Sequence, residues 1–430
     1  MNSTKRIFIL AAFVALSSMA FAQKAEIQNY RQSDQTGVDQ FEDPKTGGSG
    51  VEEVEVKIGG GLALQFQALS QETDFGKSED FPSGKFQELG KNFNLPTANL
   101  DLDVQLYDGV RMHLRTFLSS RHHNETYVKG GYLQIDKLDF ISEGFLGGLM
   151  ENARIKIGQM EINYGDLHFR RSDNGMALYN PFVGNFLMDS YSTEVAGEVY
   201  YFAPSGIFAM AGLSNGRLNQ SVTNTASKPS VYGKIGYDNH DEDLRLRLTA
   251  SVFSAGALGG ETNAIYLYQG DRAGARYYNV LDTVGTASAD FRSGRVSPDM
   301  NARMTSVMVN PFIKTGGLEF LGVAEFISGR KANEDGNRNW TQLGAELLYR
   351  FGPSENFYAG ARYNVASGEL ADSNEKVSVN RLNIGGGWFM TKNVLTKLEY
   401  VSQVYNDYPA SSKFNGAKFN GFVLEAAIAF

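Results

Sequence analysis

The groups in this chain that could do chemistry are charged, and they fall into clusters. The densest lies in Glu161–Ser190, which reads EINYGDLHFRRSDNGMALYNPFVGNFLMDS. It packs Asp166, His168, Arg170, Arg171 and Asp173 close together. A guanidinium pair of this kind either presents charge to a passing anion or is spent on the neighbouring carboxylates. Further cations sit at alternate positions elsewhere: Arg111, His113 and Arg115, then Arg154 and Lys156, then Arg245 and Arg247. In an extended strand, alternate side chains share a face, so each set forms a charged row. Acid comes from Asp101, Asp103 and Asp136, and from Glu194, Glu198, Glu319, Glu325 and Glu346.

Catalysis needs convergent groups, and the sequence offers few. There are five histidines. His113 with Ser119 or Ser120 could serve a hydrolase, but no flanking motif supports the pairing. His122 and His123 are adjacent, so on a strand they point apart and make a poor metal site. The runs Gly59-Gly60-Gly61 and Gly385-Gly386-Gly387 lie within strand patterns with no helix following. They read as bends relieving curvature rather than as phosphate loops. The chain has no cysteine, which excludes disulfides and thiolate metal centres. We therefore expect no enzyme activity, no cofactor and no metal.

The elements that position these groups are strands. The N-terminus is an export signal over residues 1–22: Lys5 and Arg6, an apolar run from Ile7 to Met19, and Ala20-Phe21-Ala22 as the small-x-small cleavage site. No later apolar run is long enough for a spanning helix. The net charge of −8 disfavours nucleic acid as a partner. Residues 23–53 are polar and Gly-rich and read as a periplasmic tail. From Val54 to Phe430 the chain alternates apolar and polar residues with period two, as in LDLDVQL (Leu100–Leu106) and LRLRLTASV (Leu244–Val252). Short links such as Tyr107–Gly109, Pro204–Gly206 and Thr391–Asn393 alternate with long ones. That alternation is the loop pattern of an outer-membrane barrel. Aromatics recur beside the short links: Tyr201, Phe202, Tyr237, Phe312, Tyr349, Phe351, Phe357, Trp388 and Phe389. They read as a girdle at one membrane interface.

The last strand places Phe422, Leu424, Ala426, Ile428 and the terminal Phe430 on one face. It resembles the C-terminal signature of Gram-negative outer-membrane barrels, which implies the outer membrane, a periplasmic C-terminus and insertion by the outer-membrane assembly machinery through the Phe430 strand. Counting back from Phe430 gives about 16 antiparallel strands, enough to enclose an aqueous lumen. NAIYLY, within the long external loop 256–301, would add a further pair if it formed a hairpin. In this count 161–190 is the third external loop. A third loop folded inward resembles the general and phosphate-selective porins, and NYRQSDQTGVDQFE with GQMEINYGDLHFRRSDN resembles porins of the Bacteroidetes type. The lysine-rich second cluster of phosphate-selective channels is absent.

The pattern gives an all-β transmembrane barrel passing small hydrophilic solutes or anions by passive diffusion, with Asp166, His168, Arg170, Arg171 and Asp173 of the third loop at its constriction; the resemblance implies a homotrimer and makes Arg170 and Arg171 the eyelet cations. The lumen charges would be Arg111, His113, Arg115, Arg154, Lys156, Arg245, Arg247, Glu194 and Glu198, giving a mild anion preference. The alternative is a closed or plugged barrel, motivated by the 256–301 loop, that acts as an adhesion receptor or as a subunit of a secretion complex.

Overall fold

In the computed structural model, residues 27–45, 54–75, 86–119, 126–216, 228–241, 243–256, 265–269, 276–284 and 292–430 are described. The export signal, His122, His123 and Ser120 lie outside them.

One antiparallel sheet closes on itself. Its strands are β1 (Glu55–Glu72), β2 (Asn92–Phe93), β3 (Thr97–Tyr107), β4 (Val110–Ser119), β5 (Tyr127–Ile135), β6 (Ala153–Glu161), β7 (Thr193–Phe202), β8 (Ile207–Ser214), β9 (Ser230–His240), β10 (Leu244–Gly256), β11 (Arg303–Thr315), β12 (Leu318–Arg330), β13 (Arg338–Phe351), β14 (Phe357–Glu369), β15 (Lys376–Thr391), β16 (Val394–Asn406) and β17 (Lys418–Ala429). β2 is a two-residue piece against β1; the other sixteen form the wall. Closure comes at β1, which pairs with β17 along one edge and with β3 along the other. A closed sheet has no unpaired edge, which lipid requires. NAIYLY forms no strand: its described residues, 265–268, lie in a coil and turn.

The alternation assigns the faces. Leu244, Leu246 and Leu248 are exposed outward, while Arg247 and Thr249 are buried inward. The short-turn end carries outward aromatics. Tyr349, Phe351, Phe357 and Trp388 stack in sequence with centroids 6.2, 5.6 and 5.8 Å apart. Phe312 and Phe389 do not belong to this girdle. They are buried, because each shares the inward phase of its strand.

Two segments between strands pack against the inner face of the wall. Residues 162–192, between β6 and β7, are buried almost throughout. This segment has no ladder of its own, so wall side chains satisfy its backbone, as buried polar groups require. The amides of Asp166, Val183, Leu187 and Met188 donate to Asn310, Glu399, Asn364 and Gln342 respectively. Its apolar residues Phe186, Leu187 and Met188 join a core with Phe253, Met308 and Phe312. The described parts of the β10–β11 connection pack into the same core through Ile265, Leu267, Tyr268 and Tyr277.

Residues 27–45 lie inside the short-turn mouth, where a tail was expected. Gln28 Nε2 donates to Asp108 at the β3–β4 turn (3.1 Å), Gln35 N donates to Lys392 O at the β15–β16 turn (2.7 Å), and Lys45 returns to Asp136 (3.1 Å). The strap crosses the mouth and comes back. The reason is charge: its carboxylates find cations on the inner wall.

Candidate functional site

Between the β3–β7 wall, the strap and the 162–192 segment runs a cavity of about 150 Å³. Its wall carries the predicted rows. Arg111, His113 and Arg115 project inward from β4, and β3 opposes them with acid in register, Asp103 facing His113 and Asp101 facing Arg115. Arg115 Nε and Nη2 donate to both Asp101 oxygens at 2.9 and 2.7 Å. His113 Nδ1 lies 2.9 Å from Asp103 Oδ1. Arg111 pairs with Asp43 of the strap and donates to Gln134 at 2.8 Å. On β6, Arg154 Nε donates to Asp136 at 2.8 Å. Lys156 is different: its Nζ rests 4.2 Å from the Tyr132 ring centroid, with no carboxylate within ion-pair distance among the described residues.

The predicted constriction residues divide. His168, Arg171 and Asp173 line the cavity. His168 sits between Asn163 (2.9 Å) and Glu161 (3.3 Å). Burial lowers its pKa from the usual 6.5 against the opposing pull of Glu161. Arg171 forks onto Asp189 at 2.8 and 2.7 Å, reaches Asp173 at 3.1 Å and lies over the Tyr191 ring at 3.8 Å. Burial pushes the Asp189 carboxyl up, but Arg171 and Arg295 outweigh it and hold it at about 2.

Arg170 and Asp166 do not reach the cavity. Arg170 is tied to Asp39 (2.6 Å), Glu346 (2.8 Å) and Glu319. Asp166 accepts two bonds from Arg247 at 2.8 and 2.9 Å and one from Lys234 at 3.1 Å. Arg245 forks onto Asp238 at 3.0 and 2.9 Å. Glu194 accepts from Ser214, and Glu198 from Tyr200 (2.6 Å) and Tyr232 (2.9 Å). These residues face inward but serve packing between wall and loops. Arg31, Asp43 and Lys129 also line the cavity and were not anticipated. The strap's signal was present in its interleaved Tyr30, Asp39, Phe41, Glu42 and Asp43, but it has no periodicity to mark it as structured.

His113 is paired with Asp103; the Ser119 side chain and Ser120, its proposed hydrolase partners, lie outside the described residues. Among the described residues no cluster of His and carboxylates could hold a metal ion.

The barrel is similar to solved outer-membrane proteins. The anion-selective porin of Comamonas acidovorans matches with a TM-score of 0.52 at 11% identity, over 88% of this chain and 100% of that one. OprB of Pseudomonas putida matches at 0.53 and 10%, over 88% and 94%. OmpT of Vibrio cholerae matches at 0.50 and 12%, over 88% and 98%. No protein-family model matches the chain, and no curated protein does. The likeness is one of fold. Together with the apolar outer face and the aromatic girdle, it places the protein in the cell outer membrane as a porin-like barrel.

Proposed function

We propose that the protein is a passive outer-membrane channel for small hydrophilic solutes, with a mild preference for anions. The supporting observation is the β3–β7 cavity, where three neighbouring strands turn Arg111, Arg115, Lys129, Arg154 and Lys156 toward one space. Rows of cations lower the energy of a passing anion and raise that of a cation. On this reading the 162–192 segment narrows the lumen, and Arg171, rather than Arg170, is the loop cation that meets the solute. The resemblance to porins motivates a homotrimer and assembly through the Phe430 strand as part of the same proposal. Reconstituted protein should give stepwise conductance in a planar bilayer, with a reversal potential on the anion side in a salt gradient. Absence of conductance from folded barrel would end this reading.

The extent of the inward filling favours a second reading, a plugged barrel that acts as a binding module at the cell surface or in a secretion complex. Liposome swelling separates the two, since a plugged barrel admits no sugar.

A further inference from the structure

The strap, like the 162–192 segment, is held to the wall by side chains rather than by a ladder. Among the described residues its backbone makes one hydrogen bond to the backbone of the rest of the chain, Gln35 N to Lys392 O. Side chains supply the rest: Gln134, Arg154, Tyr179 and Arg245 donate to its carbonyls, Phe41 is buried in the core, and its carboxylates make ion pairs. Asp39 meets Arg170 (2.6 Å), Lys314 (3.2 Å) and Arg350 (3.6 Å). Glu42 meets Arg247 (2.8 Å) and Lys234 (3.2 Å). Asp43 meets Arg111. Its ion pairs are the part of this hold that another anion can contest, which the hydrogen bonds of a ladder are not.

Asp43 occupies the most telling position. It lines the solute cavity and sits in the field of Arg111, Lys156, Arg154 and Arg31. One of its oxygens takes the Arg111 guanidinium and the other faces the Arg31 amide at 3.3 Å. The cations exceed what one carboxylate uses. Arg111 is 2% exposed, and its buried Nε has no hydrogen-bond partner. Lys156 rests on the Tyr132 face and stands in register with Glu198 without closing an ion pair among the described residues.

We propose that Arg111, with Lys156 in the surrounding field, anchors a carboxylate-binding site that the strap's own Asp43 fills in this structure. A small carboxylate solute in the cavity competes with Asp43 for these cations, and losing that contest releases the strap from the short-turn mouth. The site is thus both a solute subsite and the latch of a closure. This inference rests on the channel reading, and the test distinguishes the two.

The chain has no cysteine, so a disulfide can be placed without interference. The 2.7 Å hydrogen bond from Gln35 N to Lys392 O brings the two backbones together, as a disulfide with Cα atoms about 4.4–6.8 Å apart requires. The full-length double variant Gln35→Cys/Lys392→Cys is measured in a planar bilayer, oxidised and then reduced, with each single variant as control. Wild type is measured with acetate, phosphate or chloride as the anion. We expect low conductance when oxidised and a severalfold rise on reduction. Acetate should lengthen the openings of wild type relative to chloride, and Asp43→Asn should show long openings without it. Equal currents before and after reduction would show that the strap does not move and overturn the inference, with the channel reading intact. Lengthening by phosphate but not by acetate would overturn the assignment to carboxylates. If no state passes current, the channel reading fails and takes the inference with it.

Discussion

Lys156→Gln separates charge that solutes meet from charge that only holds the fold. The substitution keeps length and removes a cation that makes no ion pair among the described residues. A unit charge about 4 Å from a passing ion contributes about 1 kcal/mol in water-like surroundings. At 0.1 M salt the Debye length of about 10 Å leaves about two-thirds of that. The result is about threefold in favour of an anion and threefold against a cation, or up to about tenfold in the permeability ratio. Reversal potentials in a KCl gradient should therefore move markedly toward the cation side. Arg170→Gln is the contrast. Its guanidinium is 2% exposed and already shared among Asp39, Glu319 and Glu346. Removing it strands those acids and should cost about 3–5 kcal/mol of stability, as breaking a buried pair does. Its melting temperature should fall while selectivity changes little. A selectivity shift in Arg170→Gln larger than in Lys156→Gln would refute the path along β4–β6.

Two further outcomes follow from the 162–192 segment. Burial keeps the folded His168 imidazole neutral, while the unfolded one protonates, so stability falls as pH drops below about 6.5. Thermal melts of His168→Gln at about pH 7 and pH 5 should show a smaller acid-side loss than wild type; an equal loss would mean that His168 does not carry it. Gly175 brings its backbone against the wall, where an added Cβ would stand 2.5 Å from both Ala98 Cα and Gly61 O. Gly175→Ala should push the segment off β1 and β3 and change single-channel conductance. Unaltered conductance would show that this contact does not set the bore.

Much of the fold was legible because a barrel wall repeats. Period two assigns each side chain to lipid or lumen, and Phe430 fixes the end from which strands are counted. The same rule would have corrected the girdle. Phe312 follows Met308 and Asn310, both buried, at two-residue steps, so its ring belongs inside. The rows Arg111, His113, Arg115 and Arg154, Lys156 were legible for the same reason. What no period encodes is the partner of a loop charge. Asp173 stands two positions from Arg171 and could be anticipated as its partner. Asp189, which holds Arg171 more tightly, comes from the far end of the segment. Arg170 finds Glu319 and Glu346 across the barrel, and Asp39 finds Arg350. Such pairings depend on closure of the sheet. The strap therefore looked like any polar linker.

The wall itself is unequal, and this bears on where a solute passes. β4 to β8 run to 10, 9, 9, 10 and 8 residues, whereas β11 to β16 run to 13–16. The long strands carry many of the inward anchors: Asn310, Gln342, Asn364 and Glu399 hold the loop backbone, and Lys397 Nζ donates to the Ala177, Asn180 and Phe182 carbonyls at 2.9, 3.1 and 3.0 Å. The short strands line the cavity. Filling therefore concentrates where the wall is tall, and the opening lies where it is low. A strand rises about 3.4 Å per residue, so a tilted nine-residue wall gives a path on the order of 20–25 Å. Arg115 and His113 face acids in register on β3, and Lys156 faces Glu198 in register on β7 without closing an ion pair, so its charge is less fully spent than theirs.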